Sequence, residues 1–174
     1  MATKKSMWVL LRVFIIAAWL LGSVPQAMTE TLNFKWFNHI TKYEGAPIPD
    51  AEGHLVGFWV REGVVIFESG ELAWSKAIGF FDQTKGAGTF AQYGIQTFQD
   101  GSTITTYSKG TTLATPAGVS SAAKRTGEII HGTGRFQGIK GTMTSSSKLL
   151  PPEKGEPGGK SLGEGTFVYT LPSK

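Results

Sequence analysis

Glycine spacing is the feature that most constrains the fold of this 174-residue chain. Of its 23 glycines, Gly22 alone precedes Ala27, and all the others separate short apolar and β-branched stretches. This pattern is typical of many short strands joined by tight turns. No segment shows sustained helical periodicity. The sequence therefore predicts an all-β protein.

The alternation of apolar and polar residues indicates where the strands lie. The predicted strands are Leu32–Tyr43, His54–Val60, Val64–Ser69, Glu71–Phe81, Gly88–Phe98, Thr103–Leu113, Gly127 running on past Phe136, Gly141–Leu149 and Gly163–Leu171. The first segment also fits a helical face, but the proline-rich connection after it favours a strand. Arg61-Glu62-Gly63 and Asp100-Gly101 are predicted turns, and 151–160 is a predicted solvated loop.

Short antiparallel strands must protect their edges, either by closing into a barrel or by stacking as two sheets. Glycines inside the predicted strands favour a barrel, because closure needs kinks at the corners. A Gly-x-Gly-x-Phe pattern recurs, and its phenylalanine is placed to cover the preceding glycine. The three copies are Gly86–Phe90, Gly132–Phe136 and Gly163–Phe167. We therefore expect eight or nine antiparallel strands that close into a barrel.

Residues 1–27 have the pattern of a secretory signal peptide. Lys4 and Lys5 precede an apolar run over 13–21, helix-breaking residues follow, and Ala27 is a small residue for cleavage. The alternative is an N-terminal membrane anchor, but a spanning helix needs about 20 apolar residues and Arg12 interrupts this run. We expect 28–174 to form a single domain that is exported to the periplasm or secreted, with no stable membrane anchor after cleavage.

Composition excludes several classes of function. The leader carries three basic residues and no acidic one, so the net charge of +4 falls to +1 for the remainder. Lys124-Arg125 is the only adjacent basic pair outside the leader, so we predict no nucleic-acid partner. The chain has no cysteine, and His39, His54 and His131 lack metal-ligand spacing. We predict no metal site and no cofactor.

Only a small number of polar residues are candidates for a catalytic role. Asp50 lies four residues before His54, where a carboxylate can orient an imidazole and raise its basicity. An ordinary aspartate turn leading into a strand is the alternative. His131 is the third candidate for polarising a substrate. We do not expect the glycines around Gly134 to bind a nucleotide. They precede a predicted strand, whereas a phosphate-binding glycine loop must open a helix.

Aromatic residues on the predicted strands suggest a ligand site. An eight-stranded barrel is just wide enough to be filled by side chains or to hold one small ligand. The candidates to contact a small apolar or aromatic ligand are Trp59, Trp74, Tyr93 and Tyr107. The alternative is that the aromatic residues pack the core while the intervening polar residues face water, which alternation predicts equally well.

The segment from Glu128 to Thr142, Glu-Ile-Ile-His-Gly-Thr-Gly-Arg-Phe-Gln-Gly-Ile-Lys-Gly-Thr, resembles a hairpin of the allene oxide cyclase and dirigent barrels. That hairpin has the pattern Gly-Thr-Gly-x-Phe-x-Gly-x-x-Gly. Phe98–Ile104 and Lys109–Thr111 resemble small exported bacterial proteins with a barrel of this type. The resemblance covers roughly 86–142 and implies an eight-stranded, calycin-like barrel with an apolar cavity, often trimeric.

Allene oxide cyclases isomerise an unstable fatty-acid epoxide, and dirigent proteins steer the coupling of phenoxy radicals without catalysing oxidation. The matched residues are turn residues, so the resemblance bears on fold and not on activity. Our leading hypothesis is a non-catalytic exported barrel that binds a small apolar or aromatic molecule. A cofactor-free isomerase or cyclase would need a carboxylate or histidine in an open cavity. A structural or self-associating envelope protein would have a filled barrel.

Overall fold

The computed structural model describes residues 28–172, so the predicted signal peptide lies outside the described residues. Eight strands close into one barrel in sequence order, and every neighbouring pair is antiparallel. They are β1 (Thr29–Pro47), β2 (His54–Phe67), β3 (Leu72–Thr84), β4 (Ala87–Phe98), β5 (Thr103–Ala114), β6 (Ser120–Gly132), β7 (Lys140–Leu150) and β8 (Lys160–Thr170). The predicted all-β, eight-stranded, antiparallel barrel is confirmed. Within the described range, no helix has the length and apolar character needed to cross a membrane.

The predicted turn at Arg61-Glu62-Gly63 is wrong, because all three residues lie inside β2. Gly63 is a glycine for a different reason. A Cβ at this position would lie 2.0 Å from the carbonyl oxygen of Phe37 on β1. The glycine therefore allows two strands to approach closely, and a single long strand replaces the two predicted ones.

The bounds of the predicted strand that begins at Gly127, which corresponds to β6, are also wrong at both ends. β6 begins at Ser120 rather than Gly127, because its first residues are small and polar and give no alternation signal. The strand ends at Gly132, and a 3-10 turn over Gly134–Phe136 follows instead of more strand. Gly134 has a φ of 58°, a left-handed conformation that ends the extended chain.

A hydrophobic core fills one end of the barrel, which we call the closed end. The turns β2–β3, β4–β5 and β6–β7 lie there, as do both ends of the described chain, with Thr29 paired to Thr170. The phenylalanine rings pack in a series, with centroids 4.7–5.1 Å apart in three of the pairs. The buried members of this core are Phe34, Trp36, Val65, Phe67, Ala73, Phe98, Ile104, Ile129, Phe136, Ile139, Met143, Phe167 and Tyr169.

Interior glycines face interior aromatic rings across neighbouring strands. Trp59 on β2 is the direct partner of Gly79 on β3, and a Cβ on that glycine would lie 2.2 Å from the indole ring. The same relation holds for the pairs Trp36–Gly163, Phe34–Gly165, Phe81–Gly57 and Phe90–Gly110. The Gly-x-Gly-x-Phe pattern predicted that the phenylalanine two residues later covers the glycine. At Gly163 and Gly165, the covering ring comes instead from the opposite residue of β1.

Candidate functional site

The end of the barrel opposite the core, which we call the open end, encloses a cavity of about 260 Å³. Four aromatic side chains form much of its wall: Tyr43, Trp59, Phe81 and Phe90. The rings of Tyr43 and Phe81 stack at a centroid distance of 5.1 Å, and Trp59 lies 6.4 Å from Phe90. The cavity is larger than the roughly 150 Å³ that accommodates benzene. It approaches the lower limit, about 300 Å³, of typical small-molecule pockets.

The β7–β8 connection, predicted to be a solvated loop, forms one side of this cavity. Its lining residues are Pro151, Pro152, Pro157, Gly158 and Gly159. The backbone N–H of Ile40 donates to the carbonyl of Gly159 over 3.1 Å. The Lys160 ammonium bridges Glu153 at 2.7 Å and Glu156 at 2.8 Å, and these two carboxylates raise the pKa of Lys160. These contacts therefore hold the connection in place at the side of the cavity.

Arg61 lies at the inner boundary of the cavity. Its guanidinium carbon is 3.9 Å from the ring centroid of Trp59, a cation–π contact that fixes the group against the wall. The Nε atom is buried and has no hydrogen-bond acceptor among residues 28–172. Burial, and to a smaller extent the positive charge of Arg125, lower the pKa of Arg61 to about 9.

Arg125 belongs to a polar layer that separates the cavity from the closed-end core. Its Nε donates to the hydroxyl of Ser145 over 2.6 Å, and its guanidinium carbon is 5.1 Å from the ring of Trp36. Burial lowers the pKa of Arg125 to about 10. The buried polar residues of the same layer are Asn38, Ser75, Gln92, Gln96, Thr106 and Ser108.

No carboxylate side chain within residues 28–172 neutralises these two arginines. All 13 acidic residues belong to the described part of the chain, and none of them forms an ion pair with Arg61 or Arg125. The lining of the cavity includes no acidic residue and no histidine within that range. The site therefore combines an apolar wall with uncompensated positive charge.

The structure brings two of the catalytic candidates together, but on the outer surface. His54 Nδ1 lies 2.5 Å from Asp50, and its Nε2 lies 2.9 Å from Asp82, which the sequence analysis did not single out. Hydrogen bonds to the carboxylates of Asp50 and then Asp82 raise the pKa of His54, and the same histidine lowers the pKa of Asp50. His131 is exposed on β6, near the closed end, and does not join this group. None of these candidates lines the cavity.

Of the four aromatic ligand candidates, Trp59 lines the cavity. Trp74 and Tyr93 point outward, with 53% and 51% of their surface exposed, and Tyr93 packs against Tyr107 at 4.9 Å. Sequence reasoning missed Tyr43, Phe81 and above all Arg61 as cavity residues. An unbroken alternation over 59–67 would have placed Arg61 inside, on the same face as Trp59.

Comparison with known proteins yields structural relatives alone. No protein-family model matches the chain, and no curated protein matches it. The fold is similar to that of the pterocarpan synthase dirigent protein GePTS1, with 16% identity, a TM-score of 0.49 and coverage of 87% of this chain and 94% of the other. For the pterocarpan synthase dirigent protein PsPTS1, the values are 17%, 0.48, 85% and 99%. Both of these proteins are dirigent proteins.

Proposed function

We propose that this protein is an exported, non-catalytic barrel that binds one small apolar or aromatic molecule in the open-end cavity. The observation that carries the proposal is the cavity, about 260 Å³ in volume and walled by aromatic rings from β1, β2, β3 and β4. Such rings offer a large apolar contact area for little loss of conformational freedom. A largely apolar concave pocket with a few polar groups is the arrangement expected of a small-molecule site.

The two other functions have less support. A structural role calls for a filled barrel, whereas packing is continuous at the closed end and gives way to a cavity at the open end. A cofactor-free isomerase calls for a carboxylate or histidine facing the substrate. The lining residues between 28 and 172 supply neither, and the group formed by His54, Asp50 and Asp82 lies outside the barrel.

Export rests on the leader pattern of residues 1–27. We expect protein recovered from its own source to begin near Met28 and to reside in the periplasm or the medium. N-terminal sequencing of each cell fraction tests this. Mature protein that retains residues 1–27 in the membrane fraction would favour the anchored alternative.

Binding is tested by isothermal titration calorimetry with the neutral aromatic probe 2-naphthamide and its anionic isostere 2-naphthoate. We expect at least one probe to bind, and Trp59→Ala to weaken its binding by tenfold or more. The matched control is Trp74→Ala, which removes an outward-facing tryptophan and should leave the affinity unchanged. Removing a buried tryptophan costs about 3–5 kcal/mol of stability. Tyr43→Ala, at the cavity mouth, therefore provides a second and milder variant. No binding of either probe, or affinities that neither cavity variant alters, would refute the proposal.

A further inference from the structure

We propose that the open-end cavity is selective for a carboxylate carried on an apolar or aromatic body, with the carboxylate bound to Arg61 and the body against the aromatic wall. This inference rests on the proposed function, because it specifies the class of ligand for the same cavity. Three features carry it: the position of Arg61, the charge of the barrel interior and the chemistry of the wall.

Arg61 is positioned to meet a ligand. It lies on the inward face of β2, opposite Ile40 on β1 and Ala77 on β3, and its side chain borders the cavity. The contact with the ring of Trp59 holds the guanidinium in place. A guanidinium has five N–H donors and no acceptor, so only an acceptor can satisfy its buried Nε–H. The described residues provide none for that atom.

The charge of the interior is uncompensated. Burying a cation is costly unless it is paired, and two guanidinium groups share this interior. The six lysines of the described chain that lack a carboxylate partner are exposed to water. Its remaining cations outside the barrel interior have carboxylate partners: Lys42, Lys76, Lys85, Arg135 and Lys160. Arg61 and Arg125 do not, although every acidic residue of the chain lies within the described range. An anion entering the cavity would supply the missing charge.

The lowered pKa values of the two arginines agree with this account. Burial lowers the pKa of Arg61 to about 9 and that of Arg125 to about 10. Both values lie above 7, so both groups are cations at neutral pH. The lowered values reflect an interior that opposes positive charge, and a bound anion would reverse the effect.

The wall determines what carries the anion. Guanidinium matches a carboxylate through two parallel N–H···O bonds, which gives directional selectivity. A free inorganic anion would leave the rings of Tyr43, Phe81 and Phe90 without a partner. The volume of about 260 Å³ accommodates one or two fused rings in addition to the acid group. An aromatic or compact aliphatic monocarboxylate fits both halves of the site.

The experiment compares 2-naphthoate with 2-naphthamide, which differ in charge and little in shape, by calorimetry on the purified protein at pH 7. We expect the unsubstituted protein to bind the carboxylate at least about tenfold more tightly, because a charge-assisted hydrogen bond is stronger than a neutral one. Arg61→Met keeps an unbranched, flexible side chain and removes its charge. It should abolish the preference while retaining amide binding. The matched control Lys76→Met removes an exposed cation on the outer face of β3 and should preserve the preference.

Arg61→Lys provides a second variant that keeps the charge but loses the fork, and it should show an intermediate preference. Equal affinity of the two probes, or a preference that survives Arg61→Met, would overturn the carboxylate inference and leave the proposed binding function standing. Failure of both probes to bind would overturn the proposed function as well. The two failures are therefore distinguishable in one set of titrations.

Discussion

Replacing Gly79 with alanine tests whether the pairing of glycines with aromatic rings sets the shape of the cavity. The added Cβ would lie 2.2 Å from the nearest atom of the Trp59 ring, whereas ordinary contact begins near 3.4 Å. The ring must therefore move by about 1.2 Å. Overpacking of this kind costs about 1–3 kcal/mol, and the lower entropy of an unfolded alanine offsets about 0.5–1 kcal/mol. We expect a net loss of roughly 1–2 kcal/mol in the free energy of unfolding.

Urea denaturation measures this loss directly. In a domain of this size, 1 kcal/mol shifts the Tm by about 2–4 °C, so a fall of roughly 2–8 °C should accompany it. The displaced ring would also narrow the cavity, and the affinity for 2-naphthoate should fall with stability. The two effects have one cause, the position of Trp59.

Gly94→Ala is the matched control, since Gly94 also faces the interior but has no ring against it. Its Cβ would lie 3.1 Å from the hydroxyl of Thr106, the nearest atom, and a small shift of that side chain relieves the contact. We expect a change within about 0.5 kcal/mol. A Gly79→Ala protein as stable as the unsubstituted one, with unchanged affinity, would refute the reasoning. So would an equal cost at both glycines.

Three further predictions concern the surface and the rim. NMR titration should give His54 a pKa above 6.5. Because the pKa of His54 is higher in the folded state than in the unfolded state, its contribution to stability is complete below pH 6.5 and disappears as the pH rises through the folded pKa. A measured pKa at or below 6.5 would contradict the contacts of His54 with Asp50 and Asp82. The resemblance of residues 128–142 to dirigent barrels implies self-association as a trimer. Trp74→Glu combined with Phe80→Glu, at side chains 53% and 57% exposed, should then yield monomers in sedimentation equilibrium, and a monomeric unsubstituted protein would contradict this expectation. Lys160→Met should release the β7–β8 connection and speed the dissociation of 2-naphthoate in stopped-flow measurements, while an unchanged rate would show that the connection does not restrict exit.

The fold class could be predicted from the sequence because its signals are local. The Asp100-Gly101 turn lies between β4 and β5, where Gly101 has a φ of 80°, and the glycines inside strands correctly favoured closure. Alternation divides the residues of each strand between two sides of the sheet, but it does not show which side points into the barrel. Both faces of β3 carry apolar residues, so nothing in the sequence placed Ala77 inside and Trp74 outside.

The cavity was harder to predict because Arg61 lies in a segment that was predicted to be a turn. Arg61-Glu62-Gly63 has the composition of a turn, and the reason for Gly63 is a contact with Phe37, a residue distant in sequence. The sequence shows Arg125 only as one member of the adjacent basic pair with Lys124, and it does not indicate which of the two faces the interior. Only the register of β6 against β5 and β7 turns it inward while Lys124 faces out.

The position of the chain ends has a practical consequence. Thr29 and Thr170 are paired at the closed end, so a segment that continues from either end of residues 28–172 leaves the barrel on the side away from the cavity mouth. A tag, a carrier domain or a solid support joined there would not cross the path of an entering ligand. Immobilisation through either terminus should thus preserve access to the cavity, and the barrel could serve as an oriented capture layer on a sensor surface.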